Sequence, residues 1–165
     1  MREVYNLLWI GNQDDGERER LNASALTPFD LLLAAKEPWH RACLNYTGRA
    51  CDKTHPEYLM ARRGNILILN LVDAPKAEFF DKRIINAALD FIDERRNAGR
   101  DVLVCCNKAE SRSPSIALLY LIKHGIIKGN TLEDCEAEFM KVYPEYNPGA
   151  GIRGFMKEHW SEYCG

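Results

Sequence analysis

Cys106 and Arg112 enclose five residues, Asn107-Lys108-Ala109-Glu110-Ser111. A loop of that length can curl into a bowl whose backbone N–H groups point inward. Such a nest, opening a helix, binds a tetrahedral anion. The same field favours a thiolate, the form in which cysteine attacks. A guanidinium can hold two oxygens of a phosphoryl group at once. The chemistry on offer is nucleophilic attack on a phosphate monoester. A buried structural thiol at Cys106 is the plainer alternative.

Spacing alone does not decide, because Cys43 and Arg49 also enclose five residues. The flanking elements separate the two pairs. Residues 102–105 are short and nearly all apolar, as a strand in the middle of a sheet is. Residues 112–124 read as a helix with Pro114 near its first turn, where proline is tolerated. Cys43 has neither flank. His40-Arg41-Ala42 before it is no strand, and Ala50-Cys51-Asp52-Lys53 after Arg49 starts no apolar helix. The Cys43–Arg49 pair is read as a decoy.

Other elements must position the loop. Residues 4–10 predict a first strand ending at Gly11-Asn12, residues 29–35 a second and residues 65–72 a third. A helix is expected over 79–96, where Phe80, Ile84, Ile85, Ala88, Leu89 and Ile92 recur at three and four. Another spans 131–142, with Thr131 and Asp134 as its cap, and residues 151–160 allow one more. The polar stretch 36–64 reads as a long ordered loop with a helical turn near 57–62. Strands alternating with helices imply a three-layer α/β domain. Its central, mostly parallel, twisted sheet has about four to five strands flanked by helices.

The chain has 165 residues, 46% of them apolar, which fits a single domain over 1–165. A net charge of -2 offers no broad basic field for nucleic acid or an anionic membrane. No apolar run approaches the roughly 20 residues that cross a bilayer, and the N-terminus does not read as a signal peptide. A cytoplasmic monomer is expected, with its six cysteines as reduced thiols. No Cys/His group has zinc spacing, and no metal or cofactor is expected. Asn22-Ala23-Ser24 and Asn45-Tyr46-Thr47 match the glycosylation triplet, which carries no weight without export.

Val102-Leu103-Val104-Cys105-Cys106 through Ser111-Arg112-Ser113-Pro114-Ser115 resembles the signature of dual-specificity phosphatases, in the protein-tyrosine phosphatase superfamily. It looks most similar to a small bacterial and phage-type branch. Leu8-Trp9-Ile10-Gly11, Glu37-Pro38-Trp39-His40, Leu69-Asn70-Leu71-Val72-Asp73 and Tyr143-Pro144-Glu145-Tyr146-Asn147-Pro148 follow at family-like spacing. The resemblance implies a protein-tyrosine-phosphatase-like fold with Cys106, Arg112, Asp73 and Ser113 as catalytic residues. Asp73, 33 positions before Cys106, matches the general acid. Ser113 matches the hydroxyl that eases thiolate departure. Asn107, Lys108, Ala109, Glu110 and Ser111 form the substrate-binding loop. Plainer roles stand beside these: a strand-end turn for Asp73, a helix cap for Ser113, a solvent-facing lysine for Lys108. Asp81 and Glu78 are fallback acids, both expected on the next helix.

The pattern also departs from the family. Cys105 stands where the family has histidine, and Ala109 where it has glycine. Glu110 adds a negative charge near a dianion's seat. Ala109 fits if the site needs a negative φ and distorts the cradle otherwise. Two functions follow. One is a phosphatase acting on phosphotyrosine and phosphoserine/phosphothreonine of proteins through a phosphocysteine. The other is a phosphate-binding pseudophosphatase. A small phosphorylated molecule is the second substrate class. Trp39, His40, Arg49, Arg62 and Arg63 are placed at the substrate entrance, unless Trp39 only pins its loop to the core. Cys105, Cys43 or Cys51 could trap an oxidised nucleophile as a disulfide.

Overall fold

The structure is a computed structural model describing residues 1–22 and 27–164. Ala23 and Ser24 of the first glycosylation triplet lie outside the described residues. The strands are β1 (Arg2–Tyr5), β2 (Leu8–Gly11), β3 (Phe29–Leu33), β4 (Met60–Arg63), β5 (Ile66–Leu69) and β6 (Asp101–Cys105), apolar runs in β2, β3, β5 and β6 but not in β1 or β4. They make one sheet in the order β1-β2-β6-β3-β5-β4. β6 pairs in parallel with β2 and β3, and β3 with β5. The outer pairs β1–β2 and β5–β4 are antiparallel.

Two departures from expectation raise the strand count to six. Residues 4–10 do not form one strand. The chain reverses at Leu7, whose φ is 64°, and β1 folds back on β2. An apolar residue at the turn hides it from a pattern of hydrophobicity. Residues 57–62 supply no helical turn; 57–59 lead into β4 and 60–62 belong to it. That strand turns only Ala61 fully inward and leaves Arg62 and Arg63 exposed. Charge on an edge strand discourages pairing with other chains.

The helices are α1 (Gln13–Leu21), α2 (Arg41–Leu44), α3 (Lys82–Asn97), α4 (Arg112–Lys123), α5 (Leu132–Val142), α6 (Ala150–Glu158) and α7 (Trp160–Cys164). Side chains alternate across β6, as a pleated strand requires. Val102 and Val104 join the large core beneath α3–α7, while Leu103 and Cys105 join a smaller cluster with Leu31, Leu33 and Trp39 on the opposite face. α4 is buried from Ser113 to Ile122. α1 covers the smaller cluster and was not foreseen. Its sequence is Gln-Asp-Asp-Gly-Glu-Arg-Glu-Arg-Leu, and its only buried residue is Gly16, so no apolar stripe marks it.

The three layers matter for what they bring together. Gly11, Cys105 and Leu33 lie side by side at the carboxyl ends of three parallel strands. The loops after β2, β3, β5 and β6 therefore leave the same edge of the sheet. Ligands of open α/β sheets bind there. No helix among the described residues is long and apolar enough to cross a membrane.

Candidate active site

The loop after β6 runs Cys106 to Ser111 and enters α4 at Arg112. Among the described residues, the backbone N–H groups of Asn107 to Ser111 donate to no protein acceptor. The carbonyls of this loop, by contrast, are held from behind. Tyr143 Oη donates to the Ala109 carbonyl at 2.6 Å, and Asn147 N donates to the Glu110 carbonyl at 2.8 Å. Burial pushes the Tyr143 hydroxyl up to about 12, so it stays a donor at neutral pH. Fixed carbonyls and unpaired amides make a concave anion seat.

Cys106 is 2% exposed, and its Sγ lies 3.1 Å from Ser113 Oγ. A hydroxyl at that distance can donate to a thiolate. Arg112 Nη1 donates to the Leu71 carbonyl at 3.0 Å, and Nη2 donates to Asn107 Oδ1. Its Nε is buried and has no partner among the described residues. A buried cationic donor without an acceptor is costly, and an anion in the loop would satisfy it.

Asp73 follows the end of β5. Ser111 Oγ donates to Asp73 Oδ1 at 3.1 Å and accepts from Gly149 N at 2.8 Å. The Ser111 hydroxyl thus ties Asp73 to both the loop and the start of α6. Two glycines at the start of α6 permit this approach. A Cβ on Gly149 would meet Asp73 Oδ1 at 2.9 Å, and one on Gly151 would meet the Ala74 carbonyl at 2.0 Å. The fallback acids have other positions. Glu78 lies in a single turn over Ala77–Phe79, and Asp81 caps α3 by accepting from Arg83 N.

Asp73, Cys106, Asn107, Lys108, Glu110, Ser111, Arg112 and residues 147–149 line one cleft of about 400 Å³. Every expected site residue is in this wall except Ser113, buried beneath Cys106, and Ala109, which faces the other side of the loop. Lys108 and Glu110 are exposed at the rim. Ala109 has φ 59°, so the position demands the left-handed conformation that glycine adopts without strain.

Several expected neighbours lie elsewhere. Trp39 is buried, and its Nε1 donates to the Glu17 carboxylate. Its role is to pin the loop. His40 is fully buried between the Tyr46 hydroxyl at 3.0 Å and the Glu57 carbonyl at 2.9 Å. Burial lowers its pKa. Arg62 pairs with Glu94 and Arg63 with Glu57. None of these residues, nor Arg49, lines the cleft. Cys43 sits in α2, which follows the short helical turn Lys36–His40 and not a strand. Neither Cys43 nor Cys51 lines the cleft, and Cys105 packs on the opposite face of the sheet beside Trp39. Burial pushes the Cys105 thiol well up, the reverse of what a thiol that traps a sulfenate needs.

Sequence reading missed Gln13, the Leu71 carbonyl and Gly149. A cap signal could have revealed the first. Asn12 Oδ1 accepts from Asp15 N, and Asn12 N donates to Asp15 Oδ2, both at 3.0 Å. This reciprocal cap starts α1 and places Gln13 beside Asn107.

No family model matches the chain, and no curated protein matches it in sequence. Solved structures do. The human tyrosine phosphatase-like serine/threonine/tyrosine-interacting protein superposes with a TM-score of 0.68 at 19% identity, covering 100% of this chain and 98% of that one. Human DUSP28 gives 0.63 at 15%, covering 97% and 92%. The Yvh1 phosphatase domain from Chaetomium thermophilum gives 0.61 at 17%, covering 97% and 94%. At these identities the likeness shows the fold, and that fold is the three-layer architecture of the dual-specificity phosphatases.

Proposed function

We propose that this chain is a phosphomonoester hydrolase acting on phosphotyrosine and phosphoserine/phosphothreonine of proteins through a phosphocysteine. One observation carries the reading: a cysteine, an arginine with an unpaired buried Nε, and a carboxylate tied by Ser111 share one cleft whose loop amides are free. In the first step the Cys106 thiolate attacks phosphorus while the amides and Arg112 hold the remaining oxygens. The bond from phosphorus to the ester oxygen breaks, and Asp73 gives that oxygen its proton. In the second step Asp73 takes a proton from water as the water attacks the phosphocysteine. Phosphate leaves, and the Ser113 hydroxyl donates to the departing thiolate. The thiolate and amides supply the nucleophile and charge stabilisation, so the scheme calls on no metal.

Among the described residues no aromatic side chain lines the cleft, so none of them selects a phenyl ring over an alkyl chain. That supports dual specificity. The small bacterial and phage-type affiliation rests on the sequence motif. A phosphate-binding pseudophosphatase is the second reading. It is favoured by the positive φ at Ala109 and by Cys105 in place of histidine. Hydrolysis of p-nitrophenyl phosphate, measured with reductant and EDTA, separates them. Turnover by wild type but not by Cys106→Ser supports the enzyme; an inert wild type that still binds vanadate supports the pseudophosphatase.

A further inference from the structure

Asn107 is held at every polar atom of its side chain. Nδ2 donates to Gln13 Oε1 at 2.8 Å and to the Glu37 carbonyl at 2.9 Å, while Oδ1 accepts from Arg112 Nη2. Gln13 N also donates to the Asn107 carbonyl at 3.2 Å. These partners fix the amide's orientation, since turning it over would set oxygen against two oxygens and N–H against a cation. The Leu71 carbonyl fixes the other end of the guanidinium. The group is therefore clamped at both terminal nitrogens, while Nε is buried without a partner among the described residues.

We infer that Gln13 and Asn107 are positioning residues for Arg112, a chain of contacts running from the start of α1 through the loop to the guanidinium. The inference rests on the phosphate-binding reading of the Cys106 loop. A free arginine side chain must be ordered when the anion arrives, which weakens binding. Here Gln13 orients Asn107, and Asn107 holds Arg112 in place beforehand. Because Gln13 sits outside the loop and does not line the cleft, its substitution reaches the anion only through Asn107.

The test measures binding of inorganic vanadate by calorimetry, with p-nitrophenyl phosphate turnover beside it. Asn107→Ala removes a hydrogen bond to a charged group and is expected to weaken vanadate about ten- to a hundredfold. Gln13→Ala is expected to weaken it about three- to tenfold, and Gln13→Glu, which keeps the acceptor, to restore it to near the wild-type value. The deciding arm repeats Gln13→Ala in an Arg112→Lys background, where no guanidinium remains to position. There the cost should vanish. An equal cost in both backgrounds would overturn the inference, since Gln13 would then act through folding. A wild type that binds vanadate without turnover fails the enzyme reading yet leaves this cycle fully informative. A wild type that binds no vanadate overturns both.

Discussion

The chain contains the same cysteine–arginine spacing twice, and the two copies fold into unrelated objects. Around Cys106 the five intervening residues leave a central parallel strand and enter a twelve-residue helix. Around Cys43 they leave a four-residue helix, α2, which ends at Asn45 in the left-handed conformation. In the first copy the left-handed residue is Ala109, three places after the cysteine; in the second it is two places after. The backbone traces therefore diverge before either arginine is reached. Arg112 is clamped by Leu71 and Asn107. Arg49 offers its carbonyl to Lys36 Nζ, a structural contact at 2.7 Å. A motif acts only where the fold supplies a strand end, a helix start and a second shell of partners.

The strongest way to break this comparison is to exchange each sulfur for oxygen. Cys106→Ser should cut p-nitrophenyl phosphate turnover by at least about 10⁴-fold, because a hydroxyl at neutral pH is a far weaker nucleophile. Cys43→Ser should stay within about twofold, as half-buried positions away from a site usually do. Equal losses would mean that the second pair contributes to the chemistry. The arginines sharpen the contrast. Arg112→Ala should lower kcat about 10²- to 10³-fold, the usual cost of one preorganised donor to a developing anion. Arg49→Ala should leave kcat unchanged. A large loss at Arg49, read in the same assay, would count against the decoy assignment.

Asp73 allows a subtler cut, because its contribution depends on the leaving group. Asp73→Asn should slow a phosphoserine peptide by about 10²-fold or more, since an alkoxide cannot leave without a proton. It should slow p-nitrophenyl phosphate much less, because nitrophenolate departs unaided. Equal losses on both substrates would assign Asp73 to the shape of the loop.

The difference between the two copies was legible in sequence because it rests on local pattern. An apolar run before Cys106 and an apolar helix after Arg112 are visible in one dimension. The mostly parallel sheet, α3 and the Thr131 cap of α5 were legible for the same reason. What escaped had no apolar signature. α1 is charged along its length, and β4 is an edge strand with two arginines. The β1–β2 turn falls on a leucine. Contacts to the site were hidden for a different reason: the Leu71 carbonyl and Gly149 amide are backbone groups, whose partners depend on how distant loops meet. Arginines of the 36–64 segment looked available for substrate because a sequence does not reveal that Glu57 and Glu94 pair with them.

The smallest expected effect concerns Ala109. A residue with a Cβ in the left-handed region costs about 1–2 kcal/mol, and glycine returns part of the gain, about 0.5–1 kcal/mol, as extra freedom of the unfolded chain. Ala109→Gly should therefore stabilise the protein by roughly 0.5–1 kcal/mol and raise Tm by about 1–4 °C at this size. Turnover should change less than about fivefold, since that whole range of energy is worth no more than a factor of roughly five. The reason for so modest a change lies behind the loop. Tyr143 and Asn147 hold the carbonyls of Ala109 and Glu110 whichever side chain is present. The strain is thus borne by the fold and leaves the amides aimed at the anion. Turnover rising tenfold or more with Tm unchanged would locate the distortion in the cradle itself. The alanine would then be what separates a slow pseudophosphatase from an enzyme.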